Sequence, residues 1–160
     1  MIVYDDQFNW NEWSVLIGLL IGTLIVLFFP KRFSHKVTLV FLMCGIFTGF
    51  FFDHTVSVQP VSFYDVNDKS TYQFIDFISY LTFGPICYLY FYVFDWASWF
   101  WRKKSIYILM WSFIYLGLEY WAVLVGVYHY NHGYKIYYSY SIYLVVCSAW
   151  LVVYYRYHNQ

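Results

Sequence analysis

Long apolar stretches, separated by short polar or basic segments, dominate the pattern along this chain. Five stretches approach the ~20 residues that a helix needs to cross the hydrocarbon core of a bilayer. They cover residues 13–29, 37–52, 72–96, 105–128 and 136–155. The sequence therefore predicts an all-α integral membrane protein, a bundle of five transmembrane helices that forms a single membrane domain over residues 1–160.

The longest connection between two predicted helices covers residues 53–72. Asp65 and Asn67 are spaced as at the start of a calcium-binding loop, but Lys69 and Ser70 occupy positions where that loop needs an acidic ligand and a glycine. A calcium site is therefore not predicted. The order Ser70-Thr71-Tyr72-Gln73 instead predicts a capping box at the start of the third helix.

Composition agrees with a lipid environment, since 62% of the residues are apolar and 11% are charged. Soluble domains contain about 25% charged residues. The chain also has 20 Tyr and 8 Trp, which suit the level of the lipid head groups. With a formal net charge of zero, no nucleic-acid surface is predicted, and the lipid bilayer is the expected partner.

The basic residues predict the orientation of the bundle, because cytoplasmic loops are enriched in Lys and Arg. With five crossings, seven basic positions share one side, and Lys69 and Lys135 lie on the other. The seven are Lys31, Arg32, Lys36, Arg102, Lys103, Lys104 and Arg156. We expect the N-terminus outside and the C-terminus in the cytoplasm.

Two pairs of glycines have the spacing of close helix contacts in membranes. Gly18 and Gly22 lie in the first predicted helix, and Gly45 and Gly49 lie in the second. The spacing fits packing within one chain, and it also fits a homo-oligomer or a larger membrane complex. Pro85, in the middle of the third helix, predicts either a tolerated kink or a hinge beside a cavity.

Glu119 is the main candidate functional residue, because a carboxylate deep in a membrane helix needs a partner or water. It lies on a stripe of polar or small residues at helical spacing. The stripe consists of Ser112, Tyr115, Glu119, Ala122, Gly126 and His129. Glu119, Tyr115 and Ser112 could bind an ion, a proton or a small molecule. Alternatively, the Glu119 carboxyl fixes the register of the helices.

A second set of ionisable residues is predicted at the external surface. Asp53 and His54 end the second helix, and Asp76 begins the third. They are further candidates for ligand binding. His129 and His132 have an HxxH spacing, which is a weak indication of a metal site; solvated loop ends are the simpler interpretation. No cofactor is predicted, and the three cysteines are expected to be buried free thiols.

Several segments resemble an uncharacterised family of small multi-pass membrane proteins from Gram-positive, often spore-forming, bacteria. They are Phe63–Asp68, Leu118–Val123, Gly126–Tyr130 and Tyr138–Tyr143, and the resemblance covers roughly residues 53–155. It implies a bacterial plasma membrane. It carries no established activity that could be transferred to this chain.

Three classes of function follow from these features. The first is a binding or transport component, alone or in a complex, centred on Glu119. The second is a structural or regulatory protein whose polar residues set the packing. The third is an intramembrane enzyme that acts on a lipid or isoprenoid through Glu119, Asp53, His54 and Asp76. A water-accessible cavity that reaches Glu119 favours the first class. A Glu119 side chain that is dry and has all its hydrogen bonds satisfied favours the second. Clustering of Asp53, His54 and Asp76 around a groove favours the third.

Overall fold

The fold is a helical bundle, seen in a computed structural model that describes residues 2–58, 60–97 and 103–157. Within these ranges, five helices are long and apolar enough to cross a membrane, which confirms the number predicted. Their bounds are α1 Trp10–Phe28, α2 His35–Asp53, α3 Phe74–Trp96, α4 Lys104–Leu124 and α5 Ile136–Tyr157.

Local capping explains where α1 and α3 begin. Asn9 caps α1, and its backbone N–H donates to Glu12 Oε2 at 2.8 Å. Gln73 precedes α3, and its N–H donates to Asp76 Oδ2 at 2.6 Å. The prediction that Ser70 caps α3 is wrong, because the Ser70 hydroxyl instead accepts a hydrogen bond from the N–H of Ile2 at 2.8 Å.

Helix α4 ends four residues earlier than predicted. Gly126 follows it with a φ of +82°, a conformation that glycine adopts without a steric penalty. Residues 128–130 then form strand β2, which pairs antiparallel with strand β1 at residues 64–66. The all-α prediction therefore missed a small sheet that joins two distant connections of the bundle.

Glycine residues bring α1 and α2 close to α3. A Cβ atom added at Gly22 would lie 2.6 Å from Pro85 Cβ, and one added at Gly45 would lie 2.1 Å from the carbonyl oxygen of Phe83. A Cβ atom added at Gly49 would lie 2.6 Å from the Phe83 ring, whereas one added at Gly18 would have no atom within 4 Å. Three of the four predicted glycines therefore pack within the chain, against α3.

Aromatic side chains fill the space between α3 and the pair formed by α4 and α5. The Tyr90 ring is fully buried, and its centroid lies 5.0 Å from Tyr107 and 5.5 Å from both Trp111 and Trp150. Offset and edge-on contacts of this kind are favourable between aromatic rings. The bundle thus has a glycine-lined contact on one side of α3 and an aromatic layer on the other.

The two ends of the bundle differ in chemistry. One end, here called the capped end, contains residues 2–9, 54–58, 60–73 and 125–135, which are connected by β1, β2 and a bridge between Val3 and Lys69. At the opposite end, Arg32 forms an ion pair with Asp95.

Candidate functional site

The Glu119 carboxylate is enclosed by hydroxyl groups. Glu119 is only 7% exposed. Tyr130 and Ser139 donate hydrogen bonds to Oε1 at 2.5 and 2.6 Å, and Tyr143 donates to Oε2 at 2.7 Å. Both oxygens are therefore occupied, and the carboxylate joins α4 to β2 and α5.

The residues predicted to accompany Glu119 share its buried face but not its hydrogen bonds. Ser112 and Tyr115 are both buried on α4. The Ser112 hydroxyl donates to the Ile108 carbonyl at 2.8 Å, and the Tyr115 hydroxyl lies 3.5 Å from the Ile86 carbonyl. The stripe therefore predicted the buried side of α4 as far as Glu119, whereas Gly126 and His129 lie beyond the end of the helix.

Sequence reasoning missed the three residues that hold Glu119. Ser139 and Tyr143 are four positions apart, so they lie on one face of α5, and this spacing was the available signal. In a chain with 20 tyrosines, it does not stand out. Tyr130 lies on a strand that was not predicted. Burial and the Glu119 charge raise the pKa of Tyr130, so its hydroxyl remains a proton donor.

Asp53, His54 and Asp76 come together around one cavity at the capped end, here called the acidic pocket. The cavity has a volume of about 260 Å³, slightly below the ~300 Å³ at which small-molecule pockets usually begin. Its polar and aromatic lining includes Asp53, His54, Asp65, Tyr72, Asp76 and Tyr80. The sequence placed three of these residues at two helix ends, and the fold brings them to one cavity.

Hydrogen bonds hold the two helix-end carboxylates in place. The Tyr64 hydroxyl donates to Asp53 Oδ1 at 2.6 Å. The Asn67 side chain donates to Asp76 Oδ1 at 2.6 Å. Asn67 is fully buried, has a φ of +57°, and donates its backbone N–H to the Val127 carbonyl at 2.8 Å. Tyr64 in β1 and Asn67, directly after β1, thus hold the carboxylates of Asp53 and Asp76 at the helix ends.

Negative charge prevails in the acidic pocket. Burial, followed by the charges of Asp76 and Asp53, raises the pKa of Tyr72. Burial and the Asp53 charge likewise raise the pKa of Tyr64. Lys69 also lines the cavity, but its ammonium lies 3.4 Å from Asp6 and is partly neutralised there. The lining therefore suits a positively charged group.

Three aromatic rings lie along the same cavity. The centroids of His54, Tyr72 and Tyr80 are 6.1 to 6.4 Å apart, so they form a nearly equilateral triangle. The His54 Nδ1 lies 2.9 Å from the Phe50 carbonyl. Because a carbonyl can only accept, Nδ1 carries hydrogen, and Nε2 of the neutral ring is left as an acceptor.

Comparisons with known proteins give no information on the function of this chain. No protein-family model, no curated protein and no solved structure matches this chain. The family resemblance within residues 53–155 therefore stays a prediction. The geometry of the Glu119 cluster and of the acidic pocket has to support any proposal about function.

The two histidines that were weak candidates for a metal site are engaged separately. The His129 ring stacks on Tyr4, with centroids 3.8 Å apart. His132 Nδ1 lies 2.6 Å from the Ser62 carbonyl. In the parts of the chain that the structure describes, no three His, Cys, Asp or Glu side chains are grouped as metal ligands would be.

Proposed function

We propose that this chain is a multi-pass protein of the bacterial plasma membrane, with its N-terminus outside, that binds a small organic cation in the acidic pocket. It would act as the binding or transport component for that molecule, alone or within a complex. The observation that carries the proposal is the meeting of Asp53, His54 and Asp76 at one cavity. Binding residues from separate elements that converge on a cavity are typical of ligand sites.

The charge and shape of the pocket support an organic cation rather than a bare metal ion. Carboxylates of Asp53, Asp65 and Asp76 line it, and aromatic rings form another part of the lining. Aromatic faces attract ammonium groups through the ring quadrupole. A metal ion would instead need several carboxylate or imidazole ligands at short range, and within the described residues no such group occurs.

Glu119 takes a supporting role in this proposal. Each of its oxygens already accepts a hydrogen bond from a hydroxyl group, which leaves the carboxylate well satisfied in a buried position. Its three partners lie on β2 and α5, so the cluster supports the strand that pairs with β1 over the pocket. Ligand binding by Glu119 itself stays a prediction.

The clustering of Asp53, His54 and Asp76 also favours a second function, an enzyme that acts on a lipid or isoprenoid. His54 Nε2 would be the general base, with the Nδ1–H of the ring held by the Phe50 carbonyl. The two functions differ in one measurable respect. An enzyme changes the compound that it binds, whereas a binding or transport component releases it unchanged.

The proposal is tested by thermal unfolding of the purified protein in a neutral detergent. We expect tetramethylammonium to raise the melting temperature more than sodium chloride at equal ionic strength, because a ligand of the folded state stabilises it by RT ln(1 + [L]/Kd). Asp53→Asn should remove this difference, since an amide keeps the acceptor for Tyr64 but not the charge.

Asp95→Asn is the matched control, because it removes a carboxylate at the opposite end of the bundle. This variant should keep the response to tetramethylammonium even though its starting melting temperature falls. Equal effects of the two salts on the wild-type protein would contradict cation binding in the pocket. So would an unchanged response in Asp53→Asn.

A further inference from the structure

An apolar groove lies beside the acidic pocket on the surface of α2 and α3. It has a volume of about 420 Å³ and is lined by Met43, Ile46, Phe47, Phe50, Phe77 and Tyr80. Met43 and Phe47 are 47% and 64% exposed, so the groove opens away from the bundle. In a membrane this surface would face the lipid chains.

The groove and the pocket adjoin each other. Tyr80 lines both of them. Phe50, which lines the groove, stacks on His54, which lines the pocket, with ring centroids 3.9 Å apart. A molecule that occupies both would have one part on an apolar surface and another part in a charged cavity.

The groove and the acidic pocket together match the depth of one leaflet of a bilayer. Met43 lies ten positions before Asp53 on α2, which corresponds to about 15 Å along the helix axis. The hydrocarbon core of a bilayer is about 30 Å thick, so one leaflet is about half of that. The groove, whose lining on α2 runs from Met43 to Phe50, covers about 10 Å of this depth and can take the upper part of an acyl chain. The pocket lies at the level of the lipid head group.

The pocket has complementary chemistry for an ammonium head group. Tyr72 and Tyr80, whose ring centroids lie 6.4 Å apart, are aromatic rings of the kind that attract a cation, and Asp53 and Asp76 line the same cavity. Lys69 and Thr71 also line it. Thr71 contributes a hydroxyl-bearing side chain for a phosphate that adjoins the ammonium, whereas the Lys69 ammonium is partly neutralised by Asp6.

We infer that the ligand is an ammonium-bearing phospholipid, with its head group in the acidic pocket and one acyl chain in the apolar groove. This inference rests on the proposed function, since it names the class of cation that the pocket takes. It adds a second requirement, namely that the groove contributes to binding. The two parts are therefore separable by experiment.

Native mass spectrometry of the protein released from lipid nanodiscs tests the inference. The nanodiscs contain equal amounts of phosphatidylethanolamine and phosphatidylglycerol with identical acyl chains, so that only the head groups differ. We expect the wild-type protein to retain phosphatidylethanolamine over phosphatidylglycerol by about tenfold, the scale of one hydrogen bond to a charged group. Asp53→Asn should remove the preference.

A pair of tryptophan variants tests the groove. Met43→Trp places a large ring in the groove, whereas Leu39→Trp places the same ring one turn away on an exposed part of α2 outside the groove lining. We expect Met43→Trp to lose the retained lipid and Leu39→Trp to keep it. Both variants should keep the thermal response to tetramethylammonium, which also shows that they fold.

The outcomes separate the two ideas. Retention of both lipids in equal amounts, or equal retention by the two tryptophan variants, overturns the lipid inference while a response to tetramethylammonium leaves the cation pocket standing. The absence of any response to tetramethylammonium overturns the proposed function itself. Preferential retention that depends on Asp53 and Met43 supports both.

Discussion

A carboxylate with three hydroxyl donors, such as that of Glu119, stabilises the bundle through the groups that it satisfies. Tyr130, Ser139 and Tyr143 all need an acceptor in a buried setting. An unsatisfied buried polar group is costly, and more so when the environment is apolar. The residue is thus best understood together with its partners.

Substitution of Glu119 should destabilise the protein in a graded way. Glu119→Gln keeps one acceptor oxygen and should lose about 1–3 kcal/mol of unfolding free energy. Glu119→Ala leaves all three hydroxyls without this acceptor and should lose more. Thermal unfolding in neutral detergent, monitored by tryptophan fluorescence, measures the relative stabilities of the wild-type protein and the two variants. If both variants melt like the wild-type protein, Glu119 is not a packing residue and its role in ligand binding gains weight.

His129 gives the capped end a dependence on pH. Burial lowers the pKa of this imidazole below its ordinary value of 6.5, so the folded state favours the neutral ring stacked on Tyr4. As the pH falls through 6.5, the unfolded chain takes up a proton before the folded chain does, and stability decreases until the folded-state pKa is passed. Above that window the contribution is constant.

The measurement is the melting temperature between pH 8 and pH 5. His129→Phe keeps a ring that can stack on Tyr4 but does not titrate, so we expect its melting temperature to fall less over this range than that of the wild-type protein. Parallel curves for the two proteins would show that His129 does not contribute to the pH dependence.

At the residue scale, sequence reasoning located the acidic pocket better than the Glu119 cluster. Asp53, His54 and Asp76 end and begin consecutive helices, so their closeness follows from the antiparallel packing of α2 and α3, which brings these two helix ends to the same side of the bundle. Tyr64 and Asn67 were missed because their positions depend on the pairing of β1 with β2. Ser139 and Tyr143 were missed because many hydroxyl residues in this chain have equivalent spacings.

At the scale of elements, the contact between α2 and α3 depends on the absence of side chains. A Cβ at Gly45 would meet the backbone of Phe83 at 2.1 Å, whereas a Cβ at Gly18 would meet nothing within 4 Å. A backbone atom cannot move aside as a flexible side chain can. The two glycines therefore have different structural roles despite the same local sequence pattern.

Gly45→Ala and Gly18→Ala form a matched pair of tests. Gly45→Ala should separate α2 from α3 and lower the unfolding free energy by about 1–3 kcal/mol, the usual cost of overpacking. Gly18→Ala should be neutral or slightly stabilising, since alanine favours a helix by up to ~1 kcal/mol over glycine. The melting temperatures of the two variants test this expectation. Equal values would contradict the close contact at Gly45.

The helices could be predicted from the sequence because apolar length is a local property of the chain. The strands could not, because each has three residues and its partner lies in a distant connection. The overlong prediction for α4 has the same origin. Gly126 and the β2 pairing end the helix at Leu124, although the residues up to Tyr128 remain apolar.

At the scale of the whole molecule, the orientation in the membrane stays a prediction with a direct test. Val61 is exposed at the capped end, and Ser105 is exposed in the first turn of α4 at the opposite end. With the N-terminus outside, a membrane-impermeant maleimide should label Val61→Cys in intact cells. It should label Ser105→Cys only after lysis, and the reverse pattern would contradict the predicted orientation.

The parent protein is a suitable background for this labelling. Its three cysteines are free thiols, with Cys87 and Cys147 buried and Cys44 half-buried in α2. Labelling of the parent protein in intact cells and in lysates provides the baseline. An increase above that baseline therefore reports the new cysteine and its side of the membrane.

The pairing of β1 with β2 has a consequence for biosynthesis. Strand β1 lies between α2 and α3, whereas β2 is translated only after α4. A nascent chain that ends after α3 already contains Asp53, His54 and Asp76, but it lacks the strand that holds Tyr64 and Asn67 over them. The ribosome must therefore pass Tyr130 before this end of the bundle can assemble around the pocket.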